Sequence, residues 1–197
     1  MLRKAMFLTV ALMMALTVNA SAQCQFGVYA DAEGTQTSVV AQRNLGQAIF
    51  PLDVYYVMYV EDFVLGAAWN REVTGGPFTL VGAQQIYDPN SQFLEVTPNG
   101  FRMRLGDCQI GFGGNAVFVL HEVLFLEDSF QNTPDETIIQ VLPNALEAIG
   151  PFEGQVVYSD CSQEATKHGC EGLGSLRITG IVAAPSASFG AVKALFK

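Results

Sequence analysis

Apolar and polar residues alternate with a period of two along much of this 197-residue chain. That period is typical of β-strands, whose side chains point to opposite faces in turn. In residues 52–61, LDVYYVMYVE, the even-numbered positions are apolar or aromatic, and the odd-numbered positions mix tyrosine and valine with acidic residues. A second alternating stretch follows at 63–70. Residues 116–126, AVFVLHEVLFL, are apolar at both parities, which predicts a central strand covered on both faces.

Glycine, proline and asparagine separate these stretches. The run TPNG at 97–100 predicts a tight turn, so residues 92–105 should form a hairpin. Short strands between turn signals predict an all-β fold, a single-domain antiparallel β-sandwich, with a small β-barrel as the alternative. Helical patterns occur only at 143–149 and in the tail at 189–196. Strands are predicted at 25–29, 52–61, 63–70, 78–87, 92–96, 101–105, 116–126, 137–142, 154–158 and 176–182.

The N-terminus has a different character. Arg3 and Lys4 precede an apolar run that ends in Ala-Ser-Ala at 20–22, which is the plan of a secretory signal peptide. The apolar run is too short to be a comfortable membrane anchor. Gln23 stands where a bacterial lipobox needs a small residue before Cys24, so plain cleavage is favoured over lipid attachment. The chain therefore divides into a signal peptide (1–22), a sandwich domain (23–183), and a linker with a C-terminal tail (184–197).

Charge narrows the possible partners. The chain has 10 Lys and Arg against 19 Asp and Glu, and loss of the two basic residues of the signal peptide makes the remainder still more acidic. Nucleic acids and anionic lipids attract basic proteins, so neither is expected as a partner. No second apolar stretch is long enough to span a membrane. These features predict an exported protein, periplasmic or at the cell surface, without a stable transmembrane anchor.

Four cysteines, Cys24, Cys108, Cys161 and Cys170, follow the signal peptide. An even number in an exported chain predicts two disulfides. Cys161 and Cys170 flank a short polar loop, so Cys161–Cys170 with Cys24–Cys108 is the favoured pairing, and the other two pairings stay open. Zinc is disfavoured, because no two cysteines have C-x₂₋₄-C spacing and the chain has only 2 histidines.

No catalytic residue is predicted. His121 and Glu122 begin HEVLF, which lacks the second histidine of the zinc-protease motif, and a strand would send the two side chains to opposite faces. His168 is expected to be a solvated loop residue. The glycine-rich run at 111–114 lacks the lysine of a phosphate-binding loop, and no G-x-S-x-G elbow occurs. A small secreted hydrolase is kept only as an alternative that would need a pocket with converging polar groups.

Two sets of residues are candidates for binding. Exported sandwiches often hold calcium at strand ends, and Asp31, Glu33 and Asp128 are the candidate ligands, although no EF-hand loop is present. No other cofactor is predicted. Tyr55, Tyr59 and Trp69 could form a row of exposed aromatic side chains for a protein or a polysaccharide. The competing interpretation is that these three pack between sheets.

Two segments resemble a known class of protein. FGVYADAEGT at 26–35, followed by LDVYYVMYV at 52–60, resembles exported bacterial proteins with cohesin-like or immunoglobulin-like β-sandwiches. SFGAVKALFK at 188–197 resembles a short C-terminal signature of such proteins. The resemblance implies a surface on one sheet that binds a protein or a polysaccharide. We therefore expect a non-catalytic binding role at the cell envelope. The alternative is a structural or fibre component whose C-terminal tail serves for docking or sorting.

Overall fold

The computed structural model describes residues 24–43, 48–89, 92–129 and 136–182. The predicted signal peptide (1–22) and the predicted tail (184–197) lie outside the described residues. The strands are β1 (Gln25–Tyr29), β2 (Ser38–Arg43), β3 (Ile49–Tyr59), β4 (Phe63–Thr74), β5 (Phe78–Ile86), β6 (Phe93–Thr97), β7 (Gly100–Ile110), β8 (Ala116–Asp128), β9 (Thr137–Pro143), β10 (Val156–Asp160), β11 (Lys167–Cys170), β12 (Gly172–Leu173) and β13 (Ser175–Val182).

These strands form two sheets. Sheet A has the order β12-β1-β3-β8-β5. Sheet B has the order β11-β10-β4-β9-β13-β2, and the predicted hairpin β6–β7 joins it through β4. Among the described strands most pairs are antiparallel, while β1–β12 and β2–β13 are parallel. The predicted all-β sandwich is confirmed. Three strands, β2, β11 and β12, were not predicted from the sequence.

The core lies between the two sheets and is built from their inward side chains. Trp69 of β4 is fully buried at its centre. Its ring lies 5.1 Å from that of Tyr56 on β3 and 5.3 Å from that of Phe26 on β1, both of which belong to the opposite sheet. Phe101 of β7 stacks on it at 5.3 Å. Aromatic contacts of this kind add to the free energy that burial of the rings already provides.

A β-bulge sets which side chains of β8 face outward. Tyr56 of β3 pairs with Leu120, whereas Val57 pairs with Phe118, so Val119 is an extra residue in β8. Val119 and Leu120 both point into the core. The alternation therefore shifts by one residue, and His121 lies on the outer face instead of Glu122. β8 is a central strand as predicted, but its outer side chains are partly exposed: Phe118 keeps 38% of its surface accessible.

The four cysteines form two disulfides, Cys24–Cys170 and Cys108–Cys161, so the favoured pairing was wrong. Cys161 and Cys170 lie at opposite ends of the β10–β11 hairpin, because Val156 pairs with Cys170 at one end and the 161–166 turn closes the other. The four residues of β11 separate the two cysteines by ~10 Å, beyond the ~7 Å limit between the Cα atoms of a disulfide.

The segment 143–149 is not a regular helix. Its only helical feature is one turn, in which the N–H of Ala148 donates to the carbonyl oxygen of Asn144 at 2.8 Å. The side chain of Asn144 is buried and donates to the carbonyl oxygen of Phe101 at 3.1 Å. This contact ties the loop to β7 and leaves the end of the loop free to reach the outer face of sheet B.

Candidate functional site

The outer face of sheet A is an apolar and aromatic surface. Its cross-strand pairs place Tyr55 beside His121 and His121 beside Ile86. Directly opposed residues in antiparallel strands share one face of the sheet. Six residues from β3, β5 and β8 make up this surface, which we call the aromatic face: Tyr55, Ile86, Phe118, His121, Val123 and Phe125. Ile86 is 45% exposed, Phe118 is 38% exposed, and the other four are half-buried.

At the centre of the aromatic face the rings of Tyr55 and His121 are stacked, with centroids 4.5 Å apart and an interplanar angle of 11°. His121 Nε2 lies 2.7 Å from Asp53 Oδ1. A carboxylate only accepts hydrogen bonds, so the imidazole carries its proton on Nε2 and donates it to Asp53. This hydrogen bond holds the His121 ring over Tyr55, and the imidazole covers one face of the tyrosine ring.

Of the three aromatic residues proposed as ligand contacts, only Tyr55 belongs to this surface. Tyr59 is on the same side of β3, but its hydroxyl donates to the carbonyl oxygen of Glu33 at 2.6 Å, so the loop after β1 lies against it. Burial, followed by the negative charge of Asp31, raises the pKa of Tyr59 and keeps it a donor. Trp69 is in the core with 0% exposure, so the idea that it binds a ligand at the surface is wrong.

The acidic residues proposed as calcium ligands do not converge. Both carboxylate oxygens of Asp31 accept hydrogen bonds from the turn that follows β1: the N–H groups of Thr35 and Gln36 donate at 2.8 and 2.9 Å, and the Thr35 hydroxyl donates to the second oxygen. Burial acts to raise the pKa of Asp31, but these hydrogen bonds outweigh it and lower the pKa. Asp128 is buried at the far end of β8. In the described part of the chain, no three acidic, histidine or cysteine side chains gather as a metal site.

Directly beneath the aromatic face lies a buried ionic network that the sequence did not reveal. Glu122 has no exposed surface, and both of its carboxylate oxygens accept hydrogen bonds from Arg71 of the opposite sheet, at 2.8 and 2.9 Å. Tyr56 and Gln85 donate to the same carboxylate at 2.8 and 2.7 Å. Burial, followed by the charge of Glu122, raises the pKa of Tyr56 well above its usual value. The network joins the two sheets behind His121.

His121 and Glu122 therefore point in opposite directions, as the strand pattern predicted, and cannot act together as metal ligand and base. The one signal in the sequence was the HE dipeptide in an otherwise apolar strand. Sequence alone did not show which residue turns inward, because that depends on the bulge at Val119. The structure gives Glu122 a role in joining the sheets and His121 a place on the surface.

A second histidine lies in a polar cluster beside the Cys108–Cys161 disulfide. His168 Nε2 is 3.0 Å from Asp160 Oδ2, and its ring stacks on Tyr158 at 5.1 Å. The Asp160 carboxylate also accepts hydrogen bonds from the 161–166 turn, including one from the N–H of Thr166 at 2.9 Å. The hydrogen bond with His168 contributes most to lowering the pKa of Asp160 to about 2. The sequence predicted a solvated loop residue, whereas His168 is in a strand and holds the end of a hairpin.

None of the described residues forms a helix with the length and apolar character that crossing a bilayer requires.

No protein-family model matches the sequence, and no curated protein matches it. Solved structures similar to this chain include the cohesin module of a family 33 glycoside hydrolase from Clostridium perfringens, with 12% identity, covering 83% of this chain and 100% of that one, at a TM-score of 0.48. The cohesin of the Coh-OlpA–Doc918 complex from Clostridium thermocellum is 11% identical, covering 81% and 99%, at 0.45. The seventh ScaB type I cohesin from Pseudobacteroides cellulosolvens is 12% identical, covering 84% and 96%, at 0.43. All three of these similar structures are cohesin modules.

Proposed function

We propose that this protein is a non-catalytic binding module that acts outside the cell and recognises a protein partner through the aromatic face. The observation that carries this proposal is β8, a central strand with apolar side chains on both sides. Its inner residues are buried in the core, whereas on its outer side Phe118 is 38% exposed and Val123 and Phe125 are only half-buried. An exposed patch of large apolar side chains is typical of an interaction site.

The size of the surface fits a protein partner. Strand spacing of ~4.8 Å and a rise of ~3.3 Å per residue give the outer side of β3, β8 and β5, which have 11, 13 and 9 residues, an area of about 500 Å². A standard protein–protein interface buries about 800 Å² on each partner. One partner domain would therefore cover most of this face, and the residues around it would supply the polar rim.

The geometry favours a protein over a polysaccharide. Sugar rings bind to aromatic side chains that present an open flat face. Tyr55 is covered on one face by His121 at 4.5 Å, and Trp69 is in the core. What remains is a mixture of aliphatic and aromatic side chains, and such a surface suits the apolar anchor residues of a protein partner.

The charge around the aromatic face indicates which residues of the partner should surround its apolar anchor residues. Asp53 and Glu127 are exposed on the outer side of sheet A, and neither arginine nor lysine belongs to the aromatic face. The chain as a whole carries a net charge of −9. We expect the partner to place lysine or arginine around its apolar contact, since opposite potentials speed association and select against acidic proteins.

The proposed location rests on two features. Both disulfides join residues far apart in the chain, 146 and 53 positions, and disulfides of this kind persist in oxidising compartments. The signal peptide predicted at 1–22 agrees with export. The partner is therefore expected among secreted or envelope proteins.

Photo-crosslinking tests the proposal. A benzoylphenylalanine in place of Phe118 is exposed to the secreted and envelope proteins of the source organism, and the same residue in place of Phe63 serves as the matched control. Phe63 is 42% exposed, close to the 38% of Phe118, but lies on β4 of the other sheet. Each protein captured only from position 118 is then purified, and its affinity for the wild-type chain is measured by calorimetry.

The substitutions Phe118→Ser and Phe63→Ser decide the result. Loss of a large apolar contact at the interface should weaken binding by at least about tenfold for Phe118→Ser, while Phe63→Ser should bind as the wild type does. Equal affinities for both variants would contradict the proposal. So would capture of a polysaccharide, instead of a protein, that depends on Phe118.

A further inference from the structure

The outer face of sheet B, on the other side of the molecule, holds a cavity of about 290 Å³. Its floor is β4, where Gly66 and Ala68 face outward. The neighbouring strand β7 carries much longer side chains at the same level, since Arg104 pairs with Gly66 and Arg102 pairs with Ala68. The cavity exists because the residues on its floor are very small and the residues beside them on β7 are long.

The backbone requires a residue without a side chain at position 66 on this floor. A Cβ atom at position 66 would lie 2.3 Å from the carbonyl oxygen of Met103, so β7 approaches too closely there for any side chain. Val157 and Ser159 of β10 line the opposite side, paired with Ala68 and Gly66. The cavity is therefore built into the pairing of three strands and does not depend on a single rotamer.

Charged residues surround this apolar floor. Arg102 donates to Glu147 at 2.7 Å and to Glu95 at 3.3 Å, and Lys167 also pairs with Glu147. Glu147 is thus shared between two cations. The Nε of Arg102 is buried and has no acceptor among the described residues. The cavity consequently offers more hydrogen-bond donors than its two carboxylates use.

Arg104 adds to this excess. It lies on the cavity wall and is exposed, and no described carboxylate stands within ion-pair distance of its guanidinium. Elsewhere in the described structure, Arg71 pairs with Glu122 and Arg177 pairs with Glu136. The chain has only 10 Lys and Arg against 19 Asp and Glu, yet three of those cations, Arg102, Arg104 and Lys167, surround this one cavity.

We propose that this cavity binds a small organic carboxylate, with the carboxylate paired to Arg104 and its apolar body resting on Ala68, Val157 and Phe93. A guanidinium matches a carboxylate through two parallel hydrogen bonds. Three cations and two glutamates leave one positive charge, which suits a monoanion. A phosphate dianion would bring a second negative charge close to Glu95 and Glu147, and that repulsion disfavours it.

The size of the cavity limits the ligand further. It is at the lower end of the range for small-molecule sites, about 300–1,000 Å³. The ligand should be about as large as one amino-acid residue or one sugar acid. A peptide C-terminus, a free fatty or aromatic acid and a uronic acid share this chemistry, so the test includes one probe for each source.

The test follows backbone amide shifts of Gly66, Ala68 and Ser159 by NMR during titration with three carboxylates and their neutral counterparts. The probes are N-acetyl-leucine against N-acetyl-leucinamide, hexanoate against hexanamide, and galacturonate against galactose, with inorganic phosphate in addition. The key variant is Arg104→Gln, at an exposed position where the fold should be kept. Arg177→Gln, which removes another exposed arginine elsewhere on sheet B, is the matched control.

At least one carboxylate should shift these amides at millimolar concentration while its neutral counterpart does not. Arg104→Gln should weaken that binding by about tenfold or more, as expected for one charge-assisted contact, and Arg177→Gln should leave it unchanged. The carboxylate that binds most tightly identifies the source. The inference is overturned if none of the three binds, if the neutral counterparts bind equally well, if phosphate binds more tightly, or if Arg104→Gln has no effect.

Discussion

Removal of Arg71 should destabilise this protein more than removal of its partner Glu122, and removal of both should cost less than removal of Arg71 alone. Glu122 is fully buried, whereas the side chain of Arg71 keeps 14% of its surface exposed. In Arg71→Leu the carboxylate stays in the core with only Tyr56 and Gln85 as donors. Loss of one partner of a buried ion pair typically costs about 3–5 kcal/mol, a large part of the 5–15 kcal/mol by which a domain is usually stable.

Substitution of Glu122 instead of Arg71 leaves different polar groups without a partner. In Glu122→Leu the buried hydroxyl of Tyr56 loses its acceptor, at roughly 1–3 kcal/mol for a buried group left unpaired. The amide of Gln85 also loses its acceptor, but Gln85 is only half-buried and can turn to water. Arg71 can turn its guanidinium towards solvent, because it is already partly exposed. In the double variant the buried charge is gone and leucine fills the space. Glu122→Leu should therefore stabilise the Arg71→Leu background, although it destabilises the wild type.

Urea unfolding, followed by the fluorescence of the single tryptophan, Trp69, measures these free energies with both disulfides intact. Equal m-values across the four proteins are required for the comparison. Arg177→Leu is the control, since Arg177 and Glu136 are 62% and 43% exposed and such a pair contributes about 0–1 kcal/mol. If the two single costs add in the double variant, Arg71 and Glu122 are not coupled and the reasoning fails.

Three further outcomes are expected. Replacing Cys24 and Cys170 together by alanine opens a link between residues 146 positions apart and should lower the free energy of unfolding by about 5 kcal/mol on the chain-entropy model; an unchanged urea midpoint would contradict this. The lowered pKa of Asp160, about 2, means that the charged carboxylate stabilises the fold above the ordinary value of about 3.9, and that this stabilisation disappears as the pH falls towards 2. Asp160→Asn should therefore flatten the dependence of the urea midpoint on pH in that window, and a variant with the wild-type profile would argue against the pair with His168. Trp69→Ala should cost about 3–5 kcal/mol, and Trp69→Phe should cost less, because a phenyl ring still fills most of the space between Tyr56 and Phe101; circular dichroism during urea unfolding compares the two, and equal costs would contradict ring packing as the source of this stability.

Alternation alone located most strands, because the sandwich has one face of each strand in its core. In β3 the residues of the core, Leu52, Val54, Tyr56 and Met58, fall at every second position, and the sequence showed this pattern directly. β11 and β12 have only four and two residues, too few for a period to be visible. The disulfide pairing also escaped prediction, since it depends on which ends of a hairpin lie together, and that is a matter of three-dimensional register.

Trp69 shows a second limit of the sequence. Trp69 and Tyr55 were placed on a common surface because their strands follow each other in the chain. The structure puts β3 in sheet A and β4 in sheet B, so the two strands face each other across the core. Each directs an aromatic residue inward, and these are Tyr56 and Trp69. In β4 both parities contain apolar residues, so the pattern did not determine which of them is buried.

The same ambiguity explains why β8 was expected to be covered on both faces, although its outer side is partly exposed. A run of apolar residues shows that both sides of a strand avoid water, but it does not say whether the cover comes from the protein's own chain or from another molecule. In β8 the inner side is covered by sheet B, while Phe118, Val123 and Phe125 on the outer side are only partly covered by the described residues. The core needs only the inner side, so polar substitutions at these three outer positions should be tolerated by the fold. Their apolar character is then better explained by a partner than by stability, and this is the physical basis of the binding role proposed for this face of the sandwich.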